Sequence, residues 1–540
     1  MDVGRQLGRM LHTLGVRRIY GLPGEDHMAL LDALAGAGLE YCTAFDETSA
    51  VIMAATDAQL TGLPGVAVLS LAPGVSNGIN GLLNTYLEQV PLLLISGQHP
   101  ADGLPFVVRQ GFDIESLVAP ATKWRARVTA GMDLPAVLGK ALDEAMSGRP
   151  GPVYLEIPDG VSTSPAVATD AAAEAAVRQL HDRWSAGPAL RATAAPDGLR
   201  DRLAVSERPA LVLGGRRRRV SRATVTAFAA AWRVPVFTTT RQKGALDPAF
   251  PFHAGTFLNG RFEKAILDRA DLVVMIDPEA FDFYNKPWCF GANPVAITDE
   301  LFTEWMNPFA DRLVLDPDAT LAALTERGGG PSAWTAEDVA AYRRGVRATL
   351  LPDSDTFSVA HAVDAALSAW PSDGYLVADA GFSKPLIALL SEPTLPDRFL
   401  ASNALSTMGY SIPAAVGARR AGARPVLAFL GDGSLLMRAT ELAVSAGDGA
   451  PAVFVVLMDR ALTQIQVKQE RRKLATVGVT LPPIQCGKLA GALGIDGVDA
   501  YDAEELRVAV AKGLHGDRPM LVGAHVDPAP SRPLFELLRG

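Results

Sequence analysis

Two carboxylates at matched positions are the chemistry this chain offers first. Gly431-Asp432-Gly433-Ser434 follows the apolar run 425–430, and Asp459 comes 27 residues after Asp432, just past a second apolar run, 452–457. Apolar runs of this length, bounded by turn residues, read as strands buried on both faces of a parallel sheet. A helical pattern over 435–446, broken by Gly447-Asp448-Gly449, follows the first of them. Two such strand ends bring Asp432 and Asp459 to one sheet edge beside a helix N-terminus, where open α/β sheets bind ligands. A diphosphate with a hard divalent cation suits that setting. Mg2+ takes oxygen ligands, and two carboxylates plus a carbonyl near Ala461 would supply them. Gly-Asp-Gly alone is also a common turn after a strand. The strand before it, the helix after it and the second strand-terminal acid make the pattern specific.

The elements that must position these acids alternate along the chain. Residues 1–165 read as strands at 18–21, 41–45, 65–71, 91–97 and 152–157, with helices at 28–37, 48–61 and 76–87. From 162 to about 197 the composition turns to Ala, Thr, Pro and Asp, which reads as a linker. Strands at 210–213, 234–238, 272–276, 294–297 and 313–315 follow, with a helix at 220–231 and no G-x-G-x-x-G loop. After a second linker, 351–356, come strands at 374–380, 425–430, 452–457 and 519–526. The expected fold class is α/β: three doubly wound parallel-sheet domains over 1–165, 190–345 and 355–540, the first and third related.

Composition excludes several roles. A net charge of −9 and a pI near 5.5 argue against nucleic acid as a partner. The basic run Arg216-Arg217-Arg218-Arg219 follows the turn Gly214-Gly215 without interleaved aromatics and reads as a solvated loop. Cys42, Cys289 and Cys486 lie far apart in no ligand spacing, as buried or incidental thiols of a reducing compartment do. Residues 1–9 lack an apolar signal core and no apolar run reaches the ~20 residues of a membrane span. The expectation is a cytoplasmic protein with no membrane partner.

Asp432 followed 27 residues on by a second carboxylate resembles the metal and diphosphate motif of thiamine diphosphate-dependent enzymes. Gly21-Leu22-Pro23-Gly24-Glu25 is similar to that family's opening turn, and Phe45-Asp46-Glu47-Thr48-Ser49-Ala50 to its cofactor-activating segment. Ala72-Pro73-Gly74-Val75-Ser76-Asn77 is similar to its first-domain core. Gln89-Val90-Pro91-Leu92, Lys123-Trp124, Asp379-Ala380-Gly381 and Met408-Gly409-Tyr410-Ser411 match as well. The resemblance spans nearly the whole chain and comes nearest to acetolactate synthase and its 2-oxo acid decarboxylase and carboligase relatives.

That resemblance implies thiamine diphosphate and Mg2+ as cofactors. Asp432, Asp459 and the Ala461 carbonyl would hold the metal, with Gly381, Phe382, Ser383, Gly431, Gly433 and Ser434 around the diphosphate. Met408 would be the apolar wedge that keeps the cofactor bent, and the Ser406 carbonyl would accept from its aminopyrimidine. Pro23, Gly24, Pro73, Asn77, Leu462 and Thr463 complete the implied cofactor-binding set. Glu47 would hydrogen-bond the aminopyrimidine ring and so bring about deprotonation of the thiazolium carbon, a role that implies a buried carboxylate. Gln110 would reach the same cofactor. In that family the two ends of the site come from different subunits, which implies a homodimer or homotetramer. Asp46 stands where His is usual, and Met458 and Asp459 where Asn is usual.

Two absences narrow the implied chemistry. Simple pyruvate decarboxylases carry a His pair in the first domain and a Glu six residues past the metal ligand. Here position 465 is Ile, and the corresponding first-domain region has only His99. The resemblance therefore implies decarboxylation or cleavage of a 2-oxo acid or related acyl substrate, with ligation of the resulting carbanion to an acceptor carbonyl. The alternatives are a benzoylformate-type decarboxylase, a 2-hydroxyacyl-CoA or oxalyl-CoA lyase, a flavin-containing oxidase relative and a non-catalytic homologue. His27 and His99 could face substrate or be polar surface. Residues 461–470, with Thr463, Gln464, Gln466 and Gln469, either line the substrate cavity or begin an amphipathic helix. Phe106, Val107 and Leu462 suggest an uncharged substrate side chain.

Overall fold

Three six-stranded sheets, parallel throughout, carry the chain. The computed structural model describes all residues except 101–102, 104–105, 186–196, 216–219, 285, 299–306, 308, 327, 448–450 and 540. The arginine run 216–219 lies outside the described residues. The first sheet contains β1 (Arg18–Gly21), β2 (Glu40–Thr43), β3 (Gly65–Leu69), β4 (Leu92–Gln98), β5 (Trp124–Arg127) and β6 (Pro152–Pro158), in the order β2-β1-β3-β4-β6-β5. The third contains β13 (Tyr375–Ala378), β14 (Phe399–Ala401), β15 (Val426–Gly431), β16 (Val453–Met458), β17 (Asp496–Ala500) and β18 (Met520–His525). Its order, β14-β13-β15-β16-β18-β17, repeats the first strand for strand. The kinship expected from sequence is thus a shared topology.

The middle sheet contains β7 (Pro209–Leu213), β8 (Val236–Thr238), β9 (His253–Thr256), β10 (Leu272–Ile276), β11 (Val295–Thr298) and β12 (Asp311–Val314). It runs β12-β11-β10-β7-β8-β9, which from its other edge is the 3-2-1-4-5-6 order of dinucleotide-binding sheets. Its switch point lies between β7 and β10. There the buried Asp282 carboxylate accepts the Gly215 N–H at 3.1 Å. Burial pushes that carboxyl up to about 7.

The central strands form because nearly every residue is apolar or small enough to be covered on both faces: β16 is buried along its whole length, as is β4, whose one long polar side chain, Gln98 at its end, hydrogen-bonds Glu156. Edge strands escape that rule. In β17, Asp-Gly-Val-Asp-Ala is largely exposed, and β5, Trp-Arg-Ala-Arg, is half-buried. The segment expected to link the first two domains begins instead as a helix, Asp170–Ser185. Its Ala173, Val177 and Leu180 pack into the first domain's core with Val3 and Leu7. Alanine is the strongest helix former, so Ala-rich composition there marks a helix as readily as a linker.

The helix Glu47–Thr61 lies between the helix Ala72–Leu87 and the third domain's helix Ser411–Arg420. Contact with the latter requires glycine at 417, where a Cβ would meet the Met53 carbonyl oxygen at 2.7 Å. Among the described residues no helix is long and apolar enough to cross a membrane.

Candidate active site

The third sheet's switch point lies between β13 and β15, and the loops leaving β13, β14, β15 and β16 surround one cavity of about 240 Å3. Gly381, Phe382 and Ser383 reach it from β13, Ser406 and Met408 from beyond β14, Gly431 to Ser434 from β15, and Asp459 and Ala461 to Ile465 from β16. The helix after β15 begins at Asp432 itself, with Gly431 as its cap. The helical pattern expected as one piece is two, Asp432–Arg438 and Glu441–Gly447. Ser406 and Arg460 hold φ of 56° and 59°, strained for residues with a side chain. The turn at Arg460 aims its N–H at Asp432 Oδ2, 2.7 Å away.

Asp432 is buried, and its Oδ1 accepts the Gly433 N–H at 2.8 Å. Asp459 accepts from Ala461 N at 3.2 Å and from the Thr463 hydroxyl at 2.5 Å. Burial first, then the charge of Asp459, pushes the Asp432 carboxyl up to about 6; burial raises Asp459 as well, against the pull of Thr463. Two carboxylates that oppose each other's ionisation are stabilised by a cation between them. Among the described residues no group of three or more His, Cys, Asp or Glu is placed to hold a metal. The rest of the shell at Asp432 and Asp459 must then be carbonyl, hydroxyl or ligand oxygen, which is what Mg2+ accepts. A Cβ on Gly431 would have open space around it. One on Gly433 would press Leu462 Cδ2 at 2.9 Å and Met408 Cε at 3.3 Å. The donor set and this open cradle fit a magnesium diphosphate.

Residues that sequence reasoning did not single out support the cavity. Asp379, at the end of β13, accepts from Ala380 N at 2.8 Å, Gly409 N at 3.0 Å and the Ser434 hydroxyl at 2.8 Å through Oδ1, and from Ser411 N at 2.8 Å through Oδ2. It fastens the Met408 turn to the Asp432 helix. A strand-terminal acid matching the family segment was its available signal. Lys384 also lines the cavity and donates to Ser402 O at 2.8 Å; Ile465, within the segment 461–470 named from the sequence, lines it as well.

The first-domain candidates form a separate cluster. Asp46 caps the helix that opens with Glu47, accepts from Ser49 N at 3.3 Å and pairs with Arg438 of the third domain. Asn77 Nδ2 donates to Glu47 Oε2 at 2.5 Å and to Asp46 Oδ1 at 3.2 Å. Gly74, after Pro73, lies against Glu47, and Gly24, after Pro23, against Ser70. None of Pro23, Gly24, Glu47, Pro73, Asn77 or Gln110 is among the residues lining the cavity. Glu47 is half-buried in the single chain, so the expected burial is not met within it. Gln110 is exposed at φ 60°, and Phe106 is 84% exposed. His27 is not surface: it is buried, its Nε2 accepts from Gly24 N at 3.2 Å, and its Nδ1 lies 3.2 Å from Asp26. His99 Nε2 sits 3.1 Å from Arg109 O. Residues 463–471 are a helix whose first turn, Thr463 to Ile465, lines the cavity, while Gln469 hydrogen-bonds Val477 instead.

Comparison with known proteins agrees with this division. The chain matches the thiamine pyrophosphate enzyme N-terminal TPP binding domain over residues 1–117, the central domain over 197–294 and the C-terminal TPP binding domain over 379–524. It belongs to the thiamine pyrophosphate enzyme family. Thiamine diphosphate, with the Mg2+ usual in that family, is accordingly its cofactor. The chain is 30% identical over 526 residues to the probable 2-ketoarginine decarboxylase AruI of Pseudomonas aeruginosa, covering 95% of this chain and 92% of that protein. It is 27% identical to the large subunit of acetolactate synthase isozyme 2 of Escherichia coli, over 96% of this chain and 94% of the other. Benzoylformate decarboxylase of P. aeruginosa is also 27% identical, over 95% and 96%. The chain is a thiamine pyrophosphate enzyme of the acetolactate synthase and 2-oxo acid decarboxylase group.

Proposed function

We propose that this thiamine pyrophosphate enzyme decarboxylates a 2-oxo acid with an uncharged side chain and joins the remaining fragment to an acceptor carbonyl. The observation that carries the reading is the cavity wall beyond the metal acids. Leu462, Thr463, Gln464 and Ile465 stand there, and the ionisable lining residues are Asp432, Asp459 and Lys384, whose ammonium is engaged by Ser402 O. The part of the wall that this chain supplies from residues 462–465 holds no acid to protonate the fragment, which favours its capture by a second carbonyl. Bound thiamine diphosphate supplies the carbon nucleophile and electron sink for cleavage beside a carbonyl, chemistry no side chain provides.

In this reading Asp432, Asp459 and the Ala461 carbonyl would hold Mg2+, and the N-terminus of the Asp432 helix would face the diphosphate. Met408 would be the apolar support against which the cofactor rests, and the Ser406 carbonyl would accept from its aminopyrimidine. Glu47 and Gln110 of a second copy of the chain would complete the cavity, and Glu47 would hydrogen-bond the aminopyrimidine ring. Asn77 holds the Glu47 carboxylate in place. The assembly is thus a homodimer or a dimer of dimers. Simple decarboxylation is the second reading, favoured by the names of two relatives. Incubation with a panel of 2-oxo acids, with and without acceptor aldehydes, tests the choice. Carboligation predicts CO2 release with a ligated product that grows with acceptor; aldehyde as the sole product in both arms would refute it.

A further inference from the structure

The loop between β14 and Met408 shapes the cavity, yet its first half is gripped by a residue outside the third domain. Glu88, the buried residue that ends the helix Ala72–Leu87, accepts Asn403 N at 2.6 Å and Ala404 N at 2.7 Å through Oε1. Its Oε2 accepts from Arg241 of the central domain at 2.8 Å and from Asn403 Nδ2 at 3.4 Å. Arg241 is itself buried, with its guanidinium 4.3 Å over the Phe281 ring. One turn earlier, Asn84 Oδ1 accepts the Ser402 hydroxyl at 2.6 Å, and Ser402 Oγ in turn accepts Thr407 N at 2.9 Å. Thr240 of the central domain donates to Asn403 Oδ1 at 2.8 Å. A single carboxylate therefore meets all three domains where they join, two and three residues before Ser406.

We infer that Glu88 is a positioning residue for the cofactor: it fixes the Asn403–Ala404 backbone and through it the Ser406 carbonyl and Met408. The physical reason is directional. A helix end and an ion pair would hold the domains together wherever they met. Two N–H bonds from consecutive residues to one carboxylate oxygen fix the orientation of the peptide between them. Asp379 clamps the far end of the same turn at Gly409 and Ser411, so the strained residue is held between two buried acids from different domains. Strain of this kind persists where surrounding contacts over-determine it.

The inference rests on the cofactor reading of the cavity, and the test separates the two. Thiamine diphosphate binding is measured by titration calorimetry at saturating Mg2+ on the full chain, well below the unfolding temperature. Glu88→Ala is expected to weaken binding by about tenfold or more, because small misplacements of positioning groups are costly. Arg241→Met removes the ion pair but leaves both amide contacts. It is expected to lower thermal stability while changing cofactor affinity by less than about threefold. A purely structural role for Glu88 predicts the opposite pattern: both variants less stable, neither altered in affinity once folded. Should Glu88→Ala fail to fold, Glu88→Gln, which keeps a weaker acceptor, carries the test with an expected loss of about threefold or more. Asp432→Asn is the reference. Lost binding there with unchanged affinity in a folded Glu88 variant overturns this inference alone; unchanged binding in Asp432→Asn overturns the site reading and this inference with it.

Discussion

Asp432→Asn should have effects of opposite sign on the metal-free protein and on the loaded one. Asp432 is 2% exposed, and burial with the neighbouring charge of Asp459 raises its carboxyl from 3.8 to about 6. An acid raised on folding stabilises the protein least where it must ionise. The penalty is absent below 3.8, grows as pH rises through that interval and is complete above about 6. A rise of that size corresponds to about 3 kcal/mol. Asparagine cannot accept from both Gly433 N and Arg460 N, which returns about 1 kcal/mol. The net expectation for Asp432→Asn is a gain of about 1–2 kcal/mol at pH 8, vanishing near pH 4, in the metal-free protein. The assay is denaturant unfolding of the third domain after chelation, at both pH values, beside calorimetric titration with thiamine diphosphate and Mg2+. The same variant should lose Mg2+-dependent cofactor binding. A metal-free variant less stable than the parent at pH 8, or one that still binds cofactor with the parent's Mg2+ dependence, refutes the reasoning.

Four further outcomes are expected. Glu47→Ala should bind thiamine diphosphate and lose turnover; undiminished turnover would remove Glu47 from the chemistry. Glu47→Ala and Asp432→Asn chains, each inactive alone, should regain about a quarter of parent activity when unfolded and refolded as an equal mixture, since half the dimers then carry one intact site in two. No recovery from a mixture shown to contain mixed dimers would mean that each chain supplies its own Glu47. Gly431→Ala meets no neighbour within 4 Å, so its stability should stay within about 0.5 kcal/mol of the parent, while cofactor affinity falls because the methyl occupies the cradle. Equal affinity would show the cradle to lie elsewhere. For Asp282→Asn, removal of an acid raised to about 7 should stabilise the central domain by about 2–4 kcal/mol at pH 8.5 and by little at pH 4. Denaturant midpoints at the two pH values check this, and an equal change at both would rule out the buried charge as its cause.

How far the fold could be read depended on burial. The runs that became β4, β15 and β16 are covered on both faces, and their apolar residues told as much. The edge strands β5 and β17 have arginines and aspartates where one side meets solvent, so no periodicity marked them. At the site, Asp432, Met408 and Ser406 were legible because each belongs to a recognisable local segment. Asp379 and Glu88 act through backbone amides of residues distant in sequence, and only the folded chain reveals what an acid accepts from. The same is true of Glu47, whose position at a helix start was plain while its absence from the cavity lining was not.

That absence has a consequence for the life of a single chain. The first and third sheets share one topology, and under the proposed two-subunit site each chain would present only half of what the chemistry requires. A newly made or dissociated chain would therefore hold a metal and diphosphate cradle without the carboxylate that activates what it binds. Catalytic competence would then be a property of concentration. Specific activity should decline on dilution as partners separate, and isolated chains would be spared a reactive carbon with no second substrate to meet.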